Sequence, residues 1–341
     1  MENLNEFKAL MATPKKVVVT THFKPDADAL GSSLGLAGYL KKKGHQVQVI
    51  TPSDYPDFLA WMPGNESVLA FNPDNASIVN KSKSIIAEAD IIFCLDFSSL
   101  SRIYDLTDPV KQATGVKVMI DHHLEPEDFA KFKQWDVTAA STAQLVYRLI
   151  CEVGDQSVID ENIASCLYAG LMTDTGGFRH NNTRRDEFLI AADLVALGAN
   201  PSHISKLVYE TNSLERLRLM GFVLKDKLVV LPEYNTAYIT ITDEELKQYA
   251  SQTGDTEGLV NYALSVKNIR MAALMYKRKH DVKLSFRSLD DFSVNEFARA
   301  HFEGGGHKNA AGGQSKLSLE ETLQKFLALL PQYKEQLTRK N

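Results

Sequence analysis

Four short runs rich in β-branched and apolar residues, at positions 17–21, 46–50, 91–95 and 116–120, decide what the first half of the chain can become. Each is too short for a buried helix and long enough for a strand. Between the first two, Leu30, Leu34 and Ala37 recur at helical spacing, and Gly44 marks where that helix should stop. Strands that are apolar throughout and joined by helices are buried on both faces. The reading is an α/β fold: a parallel sheet with helices on both faces.

Helix signals continue beyond the sheet. Ser141-Thr142-Ala143-Gln144 and Thr183-Arg184-Arg185-Asp186 read as capping boxes. Ile163, Cys166, Leu167, Gly170 and Leu171 trace one helical face, and Asn200-Pro201 offers a cap followed by a first-turn proline. From about residue 226 the pattern changes. Strands are expected at 228–231, 237–242, 271–277 and 282–287, with Lys277-Arg278-Lys279-His280 as a solvated hairpin turn, and Ser318 caps a closing helix. The expected organisation is a domain over 1–212, a helical linker over 213–225 and a smaller mixed α/β domain over 226–341.

The net charge is -5 and 44% of the 341 residues are hydrophobic, so the chain can bury a full core without disulfides or a structural metal. An acidic balance excludes a general nucleic-acid coat protein and argues against long duplex partners. Cys94, Cys151 and Cys166 are scattered and apolar in context, which fits a reducing compartment. The N-terminus lacks a signal-peptide pattern, and no apolar run is long enough to span a bilayer. A cytoplasmic protein without a membrane partner is expected, with room for a homodimer.

Chemistry concentrates where strands end. The first run leads into His22, Asp26 and Asp28, the third into Asp96, and the fourth into Asp121-His122-His123. In open parallel sheets the site lies beyond the carboxyl ends of the strands, so these groups should converge. Asp174, at the end of the helix through residues 163–171, should join them. Taken singly, Asp26 and Asp28 would be helix caps and Asp121-His122-His123 a turn. Together, five carboxylates in one pocket would repel one another and hold protons. Two divalent metals relieve that repulsion, with one carboxylate bridging ions ~3.5–4 Å apart. Mixed imidazole and carboxylate donors favour Mn²⁺ over Mg²⁺, with Mg²⁺ or Co²⁺ as alternatives.

In order and spacing, His22-Phe-Lys-Pro-Asp26-Ala-Asp28, Asp96, Asp121-His122-His123 and Asp174 resemble the four motifs of the DHH phosphoesterase superfamily. Residues 304–313, Gly-Gly-Gly-His-Lys-Asn-Ala-Ala-Gly-Gly, resemble the signature of the DHH-associated domain found in nanoRNases, pAp phosphatases, cyclic di-AMP phosphodiesterases and RecJ-type exonucleases. The pattern departs from the family's at Lys24 and Ala27, where Asn and Gly are common, and at Phe97-Ser98.

The resemblance implies roles. His22 and Asp26 would hold one metal, Asp28, His122 and Asp174 the other, and Asp96 would bridge them. Asp121 would orient a ligating histidine, and His123 would contact the scissile phosphate. A water between the metals would be the nucleophile. Arg102 and Arg179, and in the second domain Ser285, Arg287, Gly305, Gly306 and His307, would bind substrate, with a helix N-terminus after the glycines adding positive potential. The site would lie in the interdomain cleft. Substrates would be short oligoribonucleotides, linear dinucleotides such as pApA, or pAp. Cyclic dinucleotides and inorganic pyrophosphate are the alternative substrates. From another class, the rival is a non-catalytic nucleotide sensor, which should have lost a ligand.

Overall fold

The computed structural model describes residues 1–277 and 281–339. The expected turn at Arg278, Lys279 and His280 lies outside the described residues. The chain forms two compact units, Met1–Thr211 and Asn212–Asn341.

The first unit opens with α1 (Leu4–Met11) and then alternates: β1 (Lys16–Thr21), α2 (Ala27–Lys42), β2 (Gln46–Thr51), β3 (Leu69–Ala70), α3 (Ala76–Ala87), β4 (Ile91–Leu95), α4 (Thr107–Gln112), β5 (Val116–Asp121) and β6 (Phe132–Trp135). Four helices follow: α5 (Thr142–Glu152), α6 (Glu161–Asp174), α7 (Arg185–Ala196) and α8 (Pro201–Tyr209). The strands pair in parallel in the order β3-β2-β1-β4-β5-β6. Alternate side chains serve the two faces. Val17, Val19 and Phe93 pack with α2, α5 and α6, while Val18, Ile92 and Cys94 pack with Ile86 of α3 and Val110 of α4. Burying a side chain such as Phe93 stabilises the fold by roughly 1.5–3 kcal/mol. Burial also pushes the Cys94 and Cys166 thiols up to about 12.

This strand order contains a switch point. After β1 the chain moves outward through β2 and β3, then returns to build β4 on the other side of β1. Ligands of open α/β sheets bind outside the strand ends at such a reversal. His22 follows β1 and Asp96 follows β4, so the switch point brings them together.

Two local readings shift. Ser141 caps α5 by accepting from the Gln144 N–H, but the Gln144 side chain accepts from the Ala140 N–H and not from the cap residue. For α7, Arg184 is the cap residue, and the Glu187 carboxylate accepts from its N–H.

The second unit comprises α9 (Leu214–Phe222), β7 (Leu228–Leu231), β8 (Thr236–Ile241), α10 (Asp243–Gln248), α11 (Leu259–Leu264), β9 (Met271–Lys277), β10 (Val282–Ser288), α12 (Val294–His301), β11 (Gly305–His307), β12 (Ala310–Ser315) and α13 (Leu319–Thr338). Its mixed sheet runs β11-β12-β10-β9-β8-β7, with only β8 and β9 paired in parallel among the described residues. The segment expected as a linker is built into this unit: Leu219 and Val223 are buried against Ala237, Ile239 and Ala272.

Candidate metal centre

Each expected ligand sits where an element ends. Asp26 is the N-cap of α2. Its Oδ1 accepts from the Asp28 and Ala29 N–H groups, while Oδ2 lies 3.9 Å from His22 Nε2. The capping and ligand readings of Asp26 are therefore divided between its two oxygens. His22 Nδ1 donates to the Phe23 carbonyl at 3.0 Å, which turns Nε2 to within 3.4 Å of Asp96 Oδ2.

Asp96 is the centre. Its other oxygen, Oδ1, lies 3.4 Å from His122 Nε2. The residue has φ +63°, a left-handed backbone that costs a non-glycine residue about 1–2 kcal/mol. Its N–H still donates to the Ile120 carbonyl at 3.0 Å, so the turn out of β4 is anchored to β5. Strain of this kind persists where the surroundings over-determine a functional position.

Asp28 is fully buried, and both its oxygens accept backbone N–H groups at the start of α5. His122 Nε2 stands 3.9 Å from Asp28 Oδ2 and 3.4 Å from Asp174 Oδ2. His22 with Asp26 and Asp96, and Asp28 with Asp96 and His122, each offer ligand atoms within 4.8 Å of one another. The two sets share Asp96.

Electrostatics test whether cations suit the cluster. Desolvation and the Asp96 charge hold Asp28 well above the usual carboxylate range. Desolvation and the Asp28 charge do the same to Asp174. For Asp96, burial is outweighed by the imidazoles of His122 and His22, each 3.4 Å away, and its carboxyl lies well below that range. The desolvation of His122 is outweighed by the nearby carboxylates of Asp96, Asp174 and Asp28, which push it up to about 10. The cluster balances crowded negative charge by taking up protons. Imidazole nitrogens and carboxylate oxygens at this spacing suit divalent ions that would replace those protons.

One orientation differs from expectation. Asp121 Oδ1 accepts from His123 Nδ1 at 2.8 Å and thus orients His123. The ligand-like His122 is oriented instead by the Ala139 carbonyl, 3.1 Å from Nδ1. Nothing about residue 139 in the sequence signals this, because a backbone carbonyl supplies the contact. Both nitrogens of this pair donate, since carboxylate and carbonyl oxygens only accept.

The two arginines expected to bind substrate in this unit differ. Arg102 follows the β4 end, its carbonyl accepts from the Phe23 N–H at 2.8 Å, and its charge opposes protonation of His22. Arg179 Nε donates to the Gly176 carbonyl at 2.8 Å, which uses that nitrogen inside the turn after α6. Lys24, at φ +56°, occupies a left-handed position to which the common Asn is better suited; its N–H donates to Ser53.

In the second unit the register aligns Ser285 with Gly312 and Gly305, and Arg287 with Ala310 and His307. Directly opposed residues share a face. These six lie on the side away from buried Leu284 and Phe286, where Lys283, Ser285 and Arg287 are half-buried. The packing of Leu219, Leu259 and Val260 covers that side over β8 and β9. At the β10–β12 end the same side carries Gly305, Ala310 and Gly312 beside Ser285, Arg287 and His307. Gly306 belongs to the opposite row, facing Ala311 and Phe286. Its φ of +144° and the Ala310 carbonyl, 2.6 Å from where a Cβ would stand, require glycine there. The expected helix N-terminus is absent: the glycines form a hairpin, and the next helix begins at Leu319.

A parallel sheet with an imidazole and carboxylate cluster at its switch point, followed by a mixed-sheet unit with a glycine-rich hairpin, defines a two-domain class of protein. Residues 16–171 match the DHH family, N-terminal domain, residues 235–336 match the DHHA1 domain, and the chain belongs to the DHH family. It is 30% identical over 334 residues to the bifunctional oligoribonuclease and PAP phosphatase NrnA of Thermus thermophilus, covering 97% of this chain and 93% of the relative. An exopolyphosphatase-related protein from Bacteroides fragilis superposes with a TM-score of 0.91 at 40% identity, over 98% of this chain and 97% of that one. RecJ from Thermus thermophilus, solved in complex with Mn²⁺, shares the fold at 15% identity and a TM-score of 0.53, over 98% of this chain and 55% of that one.

Proposed function

We propose that the chain is a metal-dependent hydrolase of phosphate esters in short nucleotide substrates: short oligoribonucleotides, linear dinucleotides such as pApA, and pAp. The observation that carries this reading is Asp96, whose two oxygens face two different imidazoles at 3.4 Å each. One carboxylate so placed suits two ions, with His22, Asp26 and Asp96 around one and Asp28, Asp96, His122 and Asp174 around the other. Mn²⁺ fits the mixed donors best. When bound, such ions polarise a phosphate and lower the pKa of water.

The rest falls to the chain's own residues. His123, held by Asp121, presents its other ring nitrogen to a phosphate oxygen or leaving group. Arg102 adds positive charge beside the cluster. Ser285, Arg287, Gly305 and His307 form a small-residue face with donors for a terminal phosphate, and Gly306 shapes its hairpin. The relative's name as an oligoribonuclease and PAP phosphatase supports the substrate class. No described helix is long and apolar enough to cross a membrane. The hydrolase is assigned to the cytoplasm on its three scattered free cysteines, which suit a reducing compartment.

The test is a comparison of initial rates on pAp, pApA, a five-residue RNA, cyclic di-AMP and pyrophosphate with Mn²⁺. The reading expects pAp, pApA or the RNA to be fastest. Exclusive turnover of cyclic di-AMP or pyrophosphate, or no turnover of any, would overturn it.

A further inference from the structure

Ser141 accounts for the capping of α5, which leaves Thr142 without a task in that helix. Thr142 is fully buried, and its hydroxyl donates to Asp96 Oδ1 at 2.8 Å. Its N–H donates to Asp28 Oδ2 at 2.6 Å, and the Ala143 N–H donates to Asp28 Oδ1 at 2.9 Å. A few residues earlier, the Ala139 carbonyl accepts from His122 Nδ1. Between them, the Ala140 carbonyl accepts from Asn182 Nδ2 at 3.3 Å, and the same nitrogen donates to the Asp174 carbonyl at 3.1 Å. Residues 139–143, all buried, thus touch Asp28, Asp96 and His122 directly and Asp174 through one amide.

Among these contacts, Thr142 alone reaches the shared carboxylate with its side chain. A carboxylate rotates about a broad, roughly two-fold torsion, so packing alone holds its plane weakly. Each Asp96 oxygen faces a different imidazole only in one setting of that plane. A hydroxyl donated to Oδ1 from the α5 side selects the setting and leaves further lone pairs on both oxygens. The Asp28 carboxylate, clamped by consecutive N–H groups at the helix start, fixes how far that hydroxyl stands from β4.

We propose that Thr142 is the positioning residue that sets the rotation of the Asp96 carboxylate, so that one carboxylate serves two divalent ions. This rests on the two-ion reading given above. The competing explanation is that Thr142 only fills space beneath α5.

Wild-type protein, Thr142→Val and Thr142→Ser are stripped with chelator and titrated with MnCl₂ by calorimetry. The Mn²⁺ paramagnetic resonance spectrum and the metal-free melting temperature are recorded for each. Valine keeps the shape and removes the hydroxyl; serine keeps the hydroxyl. The proposal expects Thr142→Val to bind Mn²⁺ about 10–100-fold more weakly, as for other partners that orient ligands. It also expects loss of the coupled-pair spectrum, with serine restoring both. Wild-type Mn²⁺ affinities and spectrum in Thr142→Val would overturn it, whatever the melting temperature does. Failure of serine to restore binding would assign the effect to packing and overturn it as well. A wild-type protein that binds no Mn²⁺ would sink the two-ion reading itself, which is a distinct result.

Discussion

Gly170 of α6 lies so close to Asp28 of α2 that a Cβ at residue 170 would stand 2.5 Å from the Asp28 Oδ1 atom and 2.8 Å from the Ala143 Cβ. The same helix pair meets at Gly31, where a Cβ would be 2.5 Å from the Cys166 carbonyl. The close approach of α2 and α6 is therefore what sets Asp28 against the start of α5. Gly170→Ala should push Asp28 off its two N–H donors. Overpacking of this kind destabilises by about 1–3 kcal/mol, or roughly 2–4 °C in melting temperature per kcal/mol. Calorimetric melting and Mn²⁺ titration together check this; an unchanged metal affinity would show that Asp28 tolerates the shift.

His122 carries the clearest pH signature. Its folded pKa is pushed from 6.5 up to about 10, so the protonated ring is the favoured form in the metal-free protein. The stability this lends is complete below about pH 6.5 and is lost as pH rises through about 10. An ion binds only the neutral ring, so at pH 8 metal uptake should release about one proton or more per chain. Calorimetry of Mn²⁺ binding in buffers of different ionisation heat measures that release. Binding without proton release would contradict the assignment of His122 as a ligand.

The pairing of Asp121 with His123 separates catalysis from metal retention. Asp121→Asn should lower kcat about 10–100-fold, as loss of an orienting partner does. Metal content by elemental analysis should stay at the wild-type level, because His122 is oriented from Ala139. Joint loss of metal and turnover would instead place Asp121 with the ligands.

Arg287 and His307 share one row across β10, β12 and β11. Arg287→Ala should raise KM for pAp by about 10-fold or more, the loss expected for a charged phosphate contact worth ~1.5–3 kcal/mol. Manganese affinity should not move. A normal KM would remove this face from substrate binding.

How much of this was legible depended on the range of the interaction. The 91–95 run is apolar on both faces, so its strand boundaries could be read from the residues, and they match β4. Strand β6 was not, because Phe132-Lys-Gln-Trp135 alternates as an edge strand and never forms an apolar run. That the groups after β1, β4 and β5 gather was legible because strand ends converge under a general rule; Asp174, at the end of a helix, and the ligand roles of all six came from the family resemblance. Which histidine faces Asp121 was not, since adjacent rings differ only in side-chain torsions. Thr142 passed as an inner position of the Ser141–Gln144 capping box, because its hydroxyl partner lies 46 positions away. The glycines of 304–313 suggest an anion loop by composition; they pair with one another as the β11–β12 hairpin, and the pairing of β12 with β10 is one that local spacing does not encode.

Asp96, with one oxygen toward His22 and the other toward His122, is placed to serve two ions at once. The most direct measurement counts Mn²⁺ bound per chain in wild-type protein and in Asp96→Asn, alongside turnover of pApA. Two ions in the wild type are expected. In the variant, weakened binding and a fall in kcat of about 10³-fold or more are expected, since the ions are worth several kcal/mol in the transition state. A wild-type protein that binds no ion, or an Asp96→Asn variant that turns over pApA at the full rate, would contradict the account.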